Sequence, residues 1–321
     1  MKYGLLTYKY AKRDGYCPQS VNLGDYIQSI AARQFLPRVD VHVDRDSVAW
    51  YSGDPIKLIM NGWWNIYEGN GIASDVITPL YVSFHIDNPD LVTQNTIDFL
   101  KTREPIGCRD DSTLAFLESR GVDAYFSGCL TLTLGQSYRV SEKERTGNIY
   151  FVDFDFQFES VSLWEQMTSR GARNRARVLR VDRMNRILSQ LVLPRDRGRI
   201  IRRTHEIPIT TSCDDCFRIA EQYLTDYARA KLVVTTRIHC ALPCLGMGVP
   251  VLFVKNHRSS RFGGLVDMMS HVGINECSDD AAQLFFCRYS TNRKNVTLET
   301  SGKHLEYVES LIKTCDHFIK L

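Results

Sequence analysis

The stretch AKLVVTTRIHCALPCLGMGVPVLFV, residues 230–254, decides the fold. Its apolar run at residues 232–235 predicts a buried strand, which is followed by a sharp turn and a short helix that ends at Gly248. A second buried strand is predicted at residues 250–254. Continuous apolar runs bounded by Gly and Pro are typical of strands covered on both faces. The stretch therefore predicts a parallel sheet within an α/β protein.

Arg237 and His239 lie at the turn between the first of these strands and the helix. Open α/β sheets bind ligands beyond the carboxyl ends of their strands, and helix amino termini attract anions. A fixed guanidinium charge two residues from an imidazole suits an anion that must also exchange a proton. The alternative is a packing turn in which the Arg faces solvent and the His caps the helix.

Strand and helix patterns alternate along the chain. In the first half, strands are predicted at residues 3–7, 56–60, 80–84, 105–108 and 124–127, and helices at residues 25–35, 93–101 and 111–119. After a polar linker at residues 141–148, a second series contains a strand at 149–154 and a helix at 221–230, and the chain closes with a helix at 304–318. Such alternation indicates βαβ units.

A chain of 321 residues exceeds one typical core, so we expect two domains. The fold class is α/β, with two Rossmann-like domains facing a central cleft (GT-B-like) and a closing C-terminal helix. We place the domains at residues 1–145 and 146–321, with the terminal helix in the second.

The composition is that of a soluble globular protein, with 44% hydrophobic and 24% charged residues. A net charge of +3 is too small to indicate nucleic-acid binding. No apolar stretch is long enough for a membrane span, and MKYGLLTYKY at the amino terminus lacks the apolar core of a signal peptide. We therefore expect a cytoplasmic protein whose ten Cys are free thiols.

One pair, Cys213 and Cys216, has metal-like spacing. A closed zinc site needs four ligands, and no second pair lies at a suitable distance. We predict no metal.

The segment from Arg170 to Arg203 contains twelve Arg and two acids. Such runs are usually a solvated helix face. The alternative is a patch that attracts anionic lipid headgroups or a diphosphate-linked substrate, which would make the protein peripheral to the inner face of the membrane.

Four segments together resemble the polysaccharide pyruvyltransferase family. They are NLGDYIQSIAARQF at residues 22–35, IGCRDDSTLAFLESRGVDAYFSGCLTLTL at 106–134, THEIP around His205, and TTRIHCALPCLGMGVPVLFV at 235–254. They are similar to the family's N-x-G-D loop, its R-D-x-x-T segment and its T-x-R-[LI]-H-x-x-x-P-x-x-x-x-G-x-P-V signature. The Arg-rich segment before His205 is not part of the family pattern. After Phe253 the sequence has no distinctive motif that can be aligned with the family.

The resemblance implies transfer of a pyruvyl group from phosphoenolpyruvate to a sugar, usually as a cyclic ketal with two hydroxyls. It implies a GT-B-like fold and no cofactor beyond phosphoenolpyruvate as co-substrate. The first domain would then be the acceptor side and the second the donor side. The identity of the sugar, its linkage to lipid or polymer, and the oligomeric state stay open.

Phosphoenolpyruvate brings about three negative charges, which Arg237, Arg109 and Lys255 are expected to neutralise. Arg109 and Lys255 each follow a predicted strand, so both should lie at carboxyl ends. The alternative for Arg109 is a salt bridge with Asp110 or Asp111, and for Lys255 an exposed position in a loop.

His239 is the candidate general acid, because it matches the family's R-[LI]-H histidine and imidazole titrates near neutral pH. Asp25 is the candidate that accepts a hydrogen bond from a sugar hydroxyl or acts as base, and its alternative role is N-cap of the following helix. Asn22 and Gly24 belong to the same loop, and Gly24 permits close approach of the backbone to a ligand.

His205 is predicted to serve the acceptor hydroxyl or to orient the donor. Trp63, Trp64 and Tyr67 follow the predicted strand at residues 56–60 and suggest a surface on which a sugar stacks. A packed loop is the alternative, since large aromatics often only bury area.

Two other functions fit the same fold. A GT-B glycosyltransferase would use a nucleotide-sugar donor, and it usually needs a ribose-binding carboxylate in the second domain. No obvious Glu follows the second-domain turn here, where Arg237 and His239 stand instead. A non-catalytic binding protein on this fold is the other alternative.

Overall fold

The computed structural model describes residues 1–10, 18–64, 72–153, 192–255, 262–273 and 301–321. The strands in these ranges are β1 (Lys2–Thr7), β2 (Ser20–Asn22), β3 (Val41–Asp44), β4 (Ile56–Trp64), β5 (Ile77–Ile86), β6 (Ile106–Cys108), β7 (Ala124–Phe126), β8 (Ile149–Val152), β9 (Ile200–Arg203), β10 (Glu206–Pro208), β11 (Leu232–Thr235), β12 (Val251–Lys255) and β13 (His271–Gly273). The α-helices are α1 (Leu23–Arg33), α2 (Gln94–Lys101), α3 (Asp111–Ser119), α4 (Gly135–Tyr138), α5 (Cys213–Ala228), α6 (Ile238–Gly246) and α7 (His304–Lys320).

Eleven of the described strands form two parallel sheets. The first has the order β3-β1-β4-β5-β6-β7, and the second has the order β13-β12-β11-β8-β9. Neighbouring strands are parallel throughout both sheets. The predicted mixed α/β fold with parallel sheets is thereby confirmed. The division into domains at residues 145 and 146, and a cleft between them, stay predictions.

Strand β11 shows why the sequence pattern was informative. All four of its residues are buried, and it lies in the middle of its sheet between β12 and β8. A central strand of a parallel sheet is covered on both faces, so it needs a continuous apolar run. The observed bounds of β11 and of α3 are those that the sequence predicted.

Several elements are longer than the sequence predicted, and two of them differ by four residues or more at one end. Strand β4 continues to Trp64, so Trp63 and Trp64 lie within the strand and not in a loop after it. Helix α5 begins at Cys213 and not at residue 221. The missed signal for α5 was its N-cap, because the side chain of Ser212 accepts a hydrogen bond from the backbone N–H of Asp215.

A short antiparallel pair connects the two halves of the chain. Strand β10 pairs with β2, and Glu206 lies opposite Asn22. The backbone N–H of Leu23 donates to the carbonyl of His205 at 2.8 Å, next to this pair. The start of α1 is therefore fixed directly to a strand of the second half.

The terminal helix α7 packs on the first sheet. The ammonium group of Lys57 on β4 donates to the carbonyl of Phe318 at 2.8 Å, and the rings of Phe126 and Tyr307 meet edge to face. The sequence predicted that this helix closes the second half of the chain. The structure shows that α7 contacts strands of the first half.

Two glycines allow a close backbone contact between the halves. A Cβ on Gly246, the last residue of α6, would lie 2.0 Å from the carbonyl oxygen of Leu132. A Cβ on Gly135 would lie 2.2 Å from the carbonyl oxygen of Gly246. Because backbone atoms cannot move aside as a flexible side chain can, both positions require glycine.

The Arg-rich segment lies largely outside the described residues, which resume at 192. Its described end forms a 3₁₀ helix (Pro194–Arg199) and strand β9, and Arg195, Arg197 and Arg199 are exposed there. None of the helices in the described ranges is long and apolar enough to cross a membrane.

We expect Gly246→Ala to lower the free energy of unfolding by about 3 kcal/mol, because overpacking against fixed backbone is destabilising. Gly198→Ala is the matched control, since a Cβ there meets nothing within 4 Å. Urea unfolding of both variants and the wild-type protein measures the difference. Equal transition midpoints for the two variants would contradict the tight contact at α6.

Candidate functional site

The turn between β11 and α6 forms the centre of the candidate site. Arg237 is the N-cap residue of α6, and its backbone N–H donates to the hydroxyl of Thr235 at 3.0 Å. His239 follows in the first turn of the helix and is largely buried. Both residues therefore lie at the carboxyl end of a central strand, as the sequence predicted.

The loop before α1 packs directly against His239. A Cβ on Gly24 would lie 3.1 Å from the Cβ of His239 and 3.2 Å from its Nδ1. The side chain of Asn22 accepts a hydrogen bond from the N–H of Gly24 at 3.0 Å, which fixes the backbone at this point. Two motifs that are more than 200 residues apart in the sequence thus meet through a glycine that leaves room for the imidazole.

Arg109 approaches His239 from the first sheet. It follows β6, its side chain is 2% exposed, and its Nη1 lies 3.4 Å from Nε2 of His239. A guanidinium group can only donate, so in this contact the acceptor is Nε2 of His239. The structure therefore brings Arg109 and His239 together.

Asp110 and His85 lie directly behind Arg109. The carboxylate of Asp110 is 3.6 Å from Nε of Arg109 and 2.6 Å from Nδ1 of His85. Burial would raise the pKa of Asp110, but His85, Arg109 and the hydroxyl of Ser112 lower it to about 2. Asp110 is thus a buried carboxylate that is ionised at neutral pH. The predicted alternative for Arg109, an ion pair with Asp110, is present together with the contact to His239.

Arg237 lies between two carboxylates. Its Nε donates to Asp153 at 2.9 Å, and its Nη2 donates to Glu206. Asp153 directly follows β8, has a left-handed backbone with φ of 48°, and also accepts a hydrogen bond from the backbone N–H of His205 at 2.9 Å. Asp tolerates this backbone region better than most residues do. Asp153 is 9% exposed and Glu206 is 41% exposed, so the two partners of Arg237 differ in their access to water.

Asp25 is buried and is held by three side chains. The hydroxyl of Tyr10 donates to it at 2.5 Å, the amide of Gln28 donates at 3.3 Å, and Nη1 of Arg45 lies 3.7 Å away. Burial and the neighbouring Asp25 raise the pKa of Tyr10 well above its ordinary value, so its hydroxyl keeps its proton. Asp25 is not the N-cap of α1, because Asn22 takes that role and the helix begins at Leu23.

His205 is fully buried. Its Nε2 lies 3.2 Å from the hydroxyl of Tyr227, and its ring stacks on the ring of that residue. The imidazole therefore has no surface to offer a substrate in this structure. Its backbone connects the site instead, because its N–H binds Asp153 and its carbonyl binds Leu23.

The remaining predicted residues are less closely connected to His239. Trp63 is partly exposed, and the guanidinium of Arg45 lies 5.0 Å from its ring centre. Arg45 also contacts Asp25, so Trp63 belongs to the surroundings of that carboxylate. Lys255 is the last residue of β12, as expected of a residue at a carboxyl end. Tyr67 lies outside the described residues.

Sequence reasoning missed several residues of this arrangement: His85, Asp153, Glu206, Tyr10 and Arg45. His85 is the second-last residue of strand β5, and Asp153 directly follows strand β8. The rule that selected Arg109, a polar residue at the carboxyl end of a buried strand, would have selected both of them.

Among the residues that the structure describes, no group of three or more His, Cys, Asp or Glu side chains is arranged to hold a metal ion. Cys213 and Cys216 are free thiols in the first turn of α5.

The comparison with known families identifies the family of the chain. The family model for polysaccharide pyruvyl transferase matches residues 22–258, which include Gly24, Arg109 and His239. The chain belongs to this family. The family indicates a transferase that acts in polysaccharide biosynthesis, and the resemblance that the sequence motifs suggested is confirmed.

Comparisons with solved structures and with curated proteins do not identify a function for the chain. A crystal structure of a functionally uncharacterised protein from Klebsiella pneumoniae subsp. pneumoniae NTUH-K2044 has 16% sequence identity, with 80% of this chain and 84% of that chain covered and a TM-score of 0.39. No protein with a curated description matches the chain.

We expect Asp153→Asn to destabilise the protein by about 2 kcal/mol, because a buried charged acceptor of two hydrogen bonds is lost while the left-handed backbone is still tolerated. Glu206→Gln is the matched control, and it should cost less than about 1 kcal/mol because its ion pair is exposed. Urea unfolding of the two variants measures both values. A larger loss for Glu206→Gln would show that Asp153 is not the main support of this turn.

Proposed function

We propose that this polysaccharide pyruvyl transferase moves the pyruvyl group of phosphoenolpyruvate to a sugar hydroxyl pair and forms a cyclic ketal. The observation that carries the proposal is the meeting of Gly24, Arg109 and His239, which come from three of the four segments that resemble the family. A cation and an imidazole in contact, beside the amino terminus of a helix, suit an anionic donor that takes up a proton.

The donor would be held by cationic side chains. Arg237 presents Nη2 to Glu206, whose carboxylate is 41% exposed and therefore exchangeable. In this proposal the carboxylate or phosphate of phosphoenolpyruvate replaces Glu206 on that edge, while Asp153 keeps hold of the Nε edge. Arg109 and Lys255 supply the other positive charges. An exposed ion pair costs little to exchange, which makes the replacement feasible.

His239 would be the general acid. In the substrate-free protein its Nε2 accepts from Arg109 and so carries no proton. An anion that binds between the two groups takes over the hydrogen bond of Arg109 and favours the protonated imidazole. The imidazolium then gives its proton to C3 of phosphoenolpyruvate, and C2 becomes electrophilic.

Ketal formation needs two hydroxyls. The first attacks C2 and loses its proton, and the second attacks the same carbon as the bond between C2 and the phosphate oxygen breaks. One proton has then gone to C3 and one to the departing phosphate, which balances the two lost by the sugar.

Asp25 would orient the hydroxyls or accept their protons, with Asn22 and Gly24 beside it and Trp63 as a stacking surface. His205 would act through its backbone contacts to Leu23 and Asp153.

The protein needs no cofactor in this proposal, because three cationic side chains provide the charge neutralisation that a metal ion often supplies. The sugar acceptor is free, lipid-linked or polymeric, and a lipid-linked acceptor would agree with peripheral contact between the Arg-rich segment and an anionic membrane from the cytoplasmic side.

The test is a thermal-shift comparison of phosphoenolpyruvate with nucleotide sugars, because a ligand that binds the folded state alone raises its stability. Mass spectrometry of candidate sugars after incubation with phosphoenolpyruvate, with and without EDTA, then detects the ketal. Stabilisation by a nucleotide sugar in place of phosphoenolpyruvate would favour a glycosyltransferase, and stabilisation by sugars alone would favour a non-catalytic binding protein.

We expect Arg237→Ala to weaken the binding of phosphoenolpyruvate by about 2 kcal/mol or more, because a charge-assisted partner is lost. Arg237→Lys should rescue little, since an ammonium group cannot bind Asp153 and the donor in the planar geometry of a guanidinium. Isothermal titration calorimetry gives both affinities. Wild-type affinity in the Ala variant would remove Arg237 from the donor site.

We expect His239→Gln to lower turnover by roughly 100-fold or more while the affinity for phosphoenolpyruvate changes little, because an amide can bind but cannot protonate carbon. Steady-state kinetics and calorimetry on the same preparation separate the two effects. Turnover within a few-fold of wild type would assign the acid role to another residue.

A further inference from the structure

Behind Arg109 the structure contains a line of buried polar groups, of which Asp110 belongs to the R-D-x-x-T segment and His85 to none of the four segments that resemble the family. His85 lies near the carboxyl end of β5, and Asp110 is the N-cap residue of α3. Both are almost completely buried, as is Arg109. The contacts run from Nδ1 of His85 to Asp110 at 2.6 Å, from Asp110 to Nε of Arg109 at 3.6 Å, and from Nη1 of Arg109 to His239 at 3.4 Å.

A buried charge is costly unless it is paired, so groups of this kind are kept only where their partners are well placed. The two oxygens of Asp110 have different partners. Oδ1 accepts from the N–H of Thr113 at 3.1 Å and from the hydroxyl of Ser112 at 2.6 Å, which fixes it to the first turn of α3. Oδ2 faces His85 and Arg109. The carboxylate can therefore hold two cationic or donor groups in a fixed orientation.

We propose that Asp110 and His85 are positioning residues that fix the guanidinium of Arg109 toward His239. This inference rests on the proposed function, since it concerns the cation that would bind the donor. Asp110 holds the Nε edge of Arg109, which turns Nη1 toward His239. His85 keeps Oδ2 of Asp110 in place from the other side. Neither residue touches the donor in this scheme.

The arrangement also accounts for the charge at this point. Asp110 keeps its negative charge at neutral pH, because its pKa is about 2. It offsets one of the buried positive charges before an anion arrives. The guanidinium can then remain buried and fixed in the substrate-free protein, so an incoming anion does not need to order it. Such pre-organisation improves binding without adding a contact to the ligand.

The variants separate positioning from a structural role. His85→Leu removes the ring nitrogen that lies 2.6 Å from Asp110, whereas His85→Asn places an amide nitrogen near the former position of Nδ1. Asp110→Asn removes the charge but keeps a side chain that caps helices well. Asp123→Asn is the matched control, because Asp123 is exposed and precedes β7 at the opposite end of the same sheet. Thermal unfolding of each variant identifies those that fail to fold.

Calorimetry with phosphoenolpyruvate gives the first readout. We expect His85→Leu and Asp110→Asn to weaken the affinity by about tenfold, His85→Asn to stay within about threefold of wild type, and Asp123→Asn to leave it unchanged. The KM for the sugar acceptor should change little in all four variants. Equal affinity in wild-type protein and His85→Leu, or an equal loss in His85→Asn and His85→Leu, would overturn the inference.

A second readout needs no phosphoenolpyruvate. Nitrogen–proton correlation spectra of the histidine side chains report which ring nitrogen carries the proton, and His239→Gln identifies the signal of His239 among eight histidines. We expect His85→Leu to shift the Nε2 signal of His239, and His85→Asn to restore it. An unchanged signal in a folded His85→Leu variant would overturn the inference. Failure of the wild-type protein to bind phosphoenolpyruvate would instead contradict the proposed function, and the histidine spectra would still decide the role of His85.

Discussion

The contact between Gly24 and His239 is the constraint on which the candidate site depends. It requires that the loop before α1, which belongs to the first half of the chain, lie within van der Waals distance of the first turn of α6. The pairing of β2 with β10 and the hydrogen bond from Leu23 to His205 hold that loop in place. The site is thus made where the two halves of the chain meet, and neither half contains it alone.

Charge is distributed in a similar way around the two arginines. Arg109 has Asp110 on one side, and Arg237 has Asp153 on one side, and each carboxylate is largely buried at the end of a strand or the start of a helix. In each case a carboxylate lies beside Nε of the guanidinium, and an Nη nitrogen contacts a second side chain, which is His239 for Arg109 and Glu206 for Arg237. A protein that must bind a small, highly charged anion gains from such cations, because they are ordered before the anion arrives.

The sequence predicted the fold well where burial is uniform. Leu232–Thr235 is recognisable because every side chain of a central parallel strand is buried, and Asp111–Ser119 because Gly121 marks its end. The position of His239 follows from the same local pattern.

The partners of Arg237 and Arg109 could not be predicted in this way. Asp153 is 84 positions from Arg237, and His239 is 130 positions from Arg109, so these contacts depend on strand order and register. The sequence places Trp63 after the strand because Asn61 and Gly62 end the apolar run, whereas in the structure β4 continues through a register shift between Met60 and Gly62.

The glycine contact at the end of α6 has a consequence for motion. Where Gly246 touches the carbonyl of Leu132, backbone meets backbone without side chains between them that could change rotamer. Movement of α6 toward Leu132 would force those backbone atoms into each other. His239 is in the first turn of the same helix, which ends at Gly246. The contact that limits how closely α6 packs on Leu132 therefore also limits where the imidazole lies relative to Arg109.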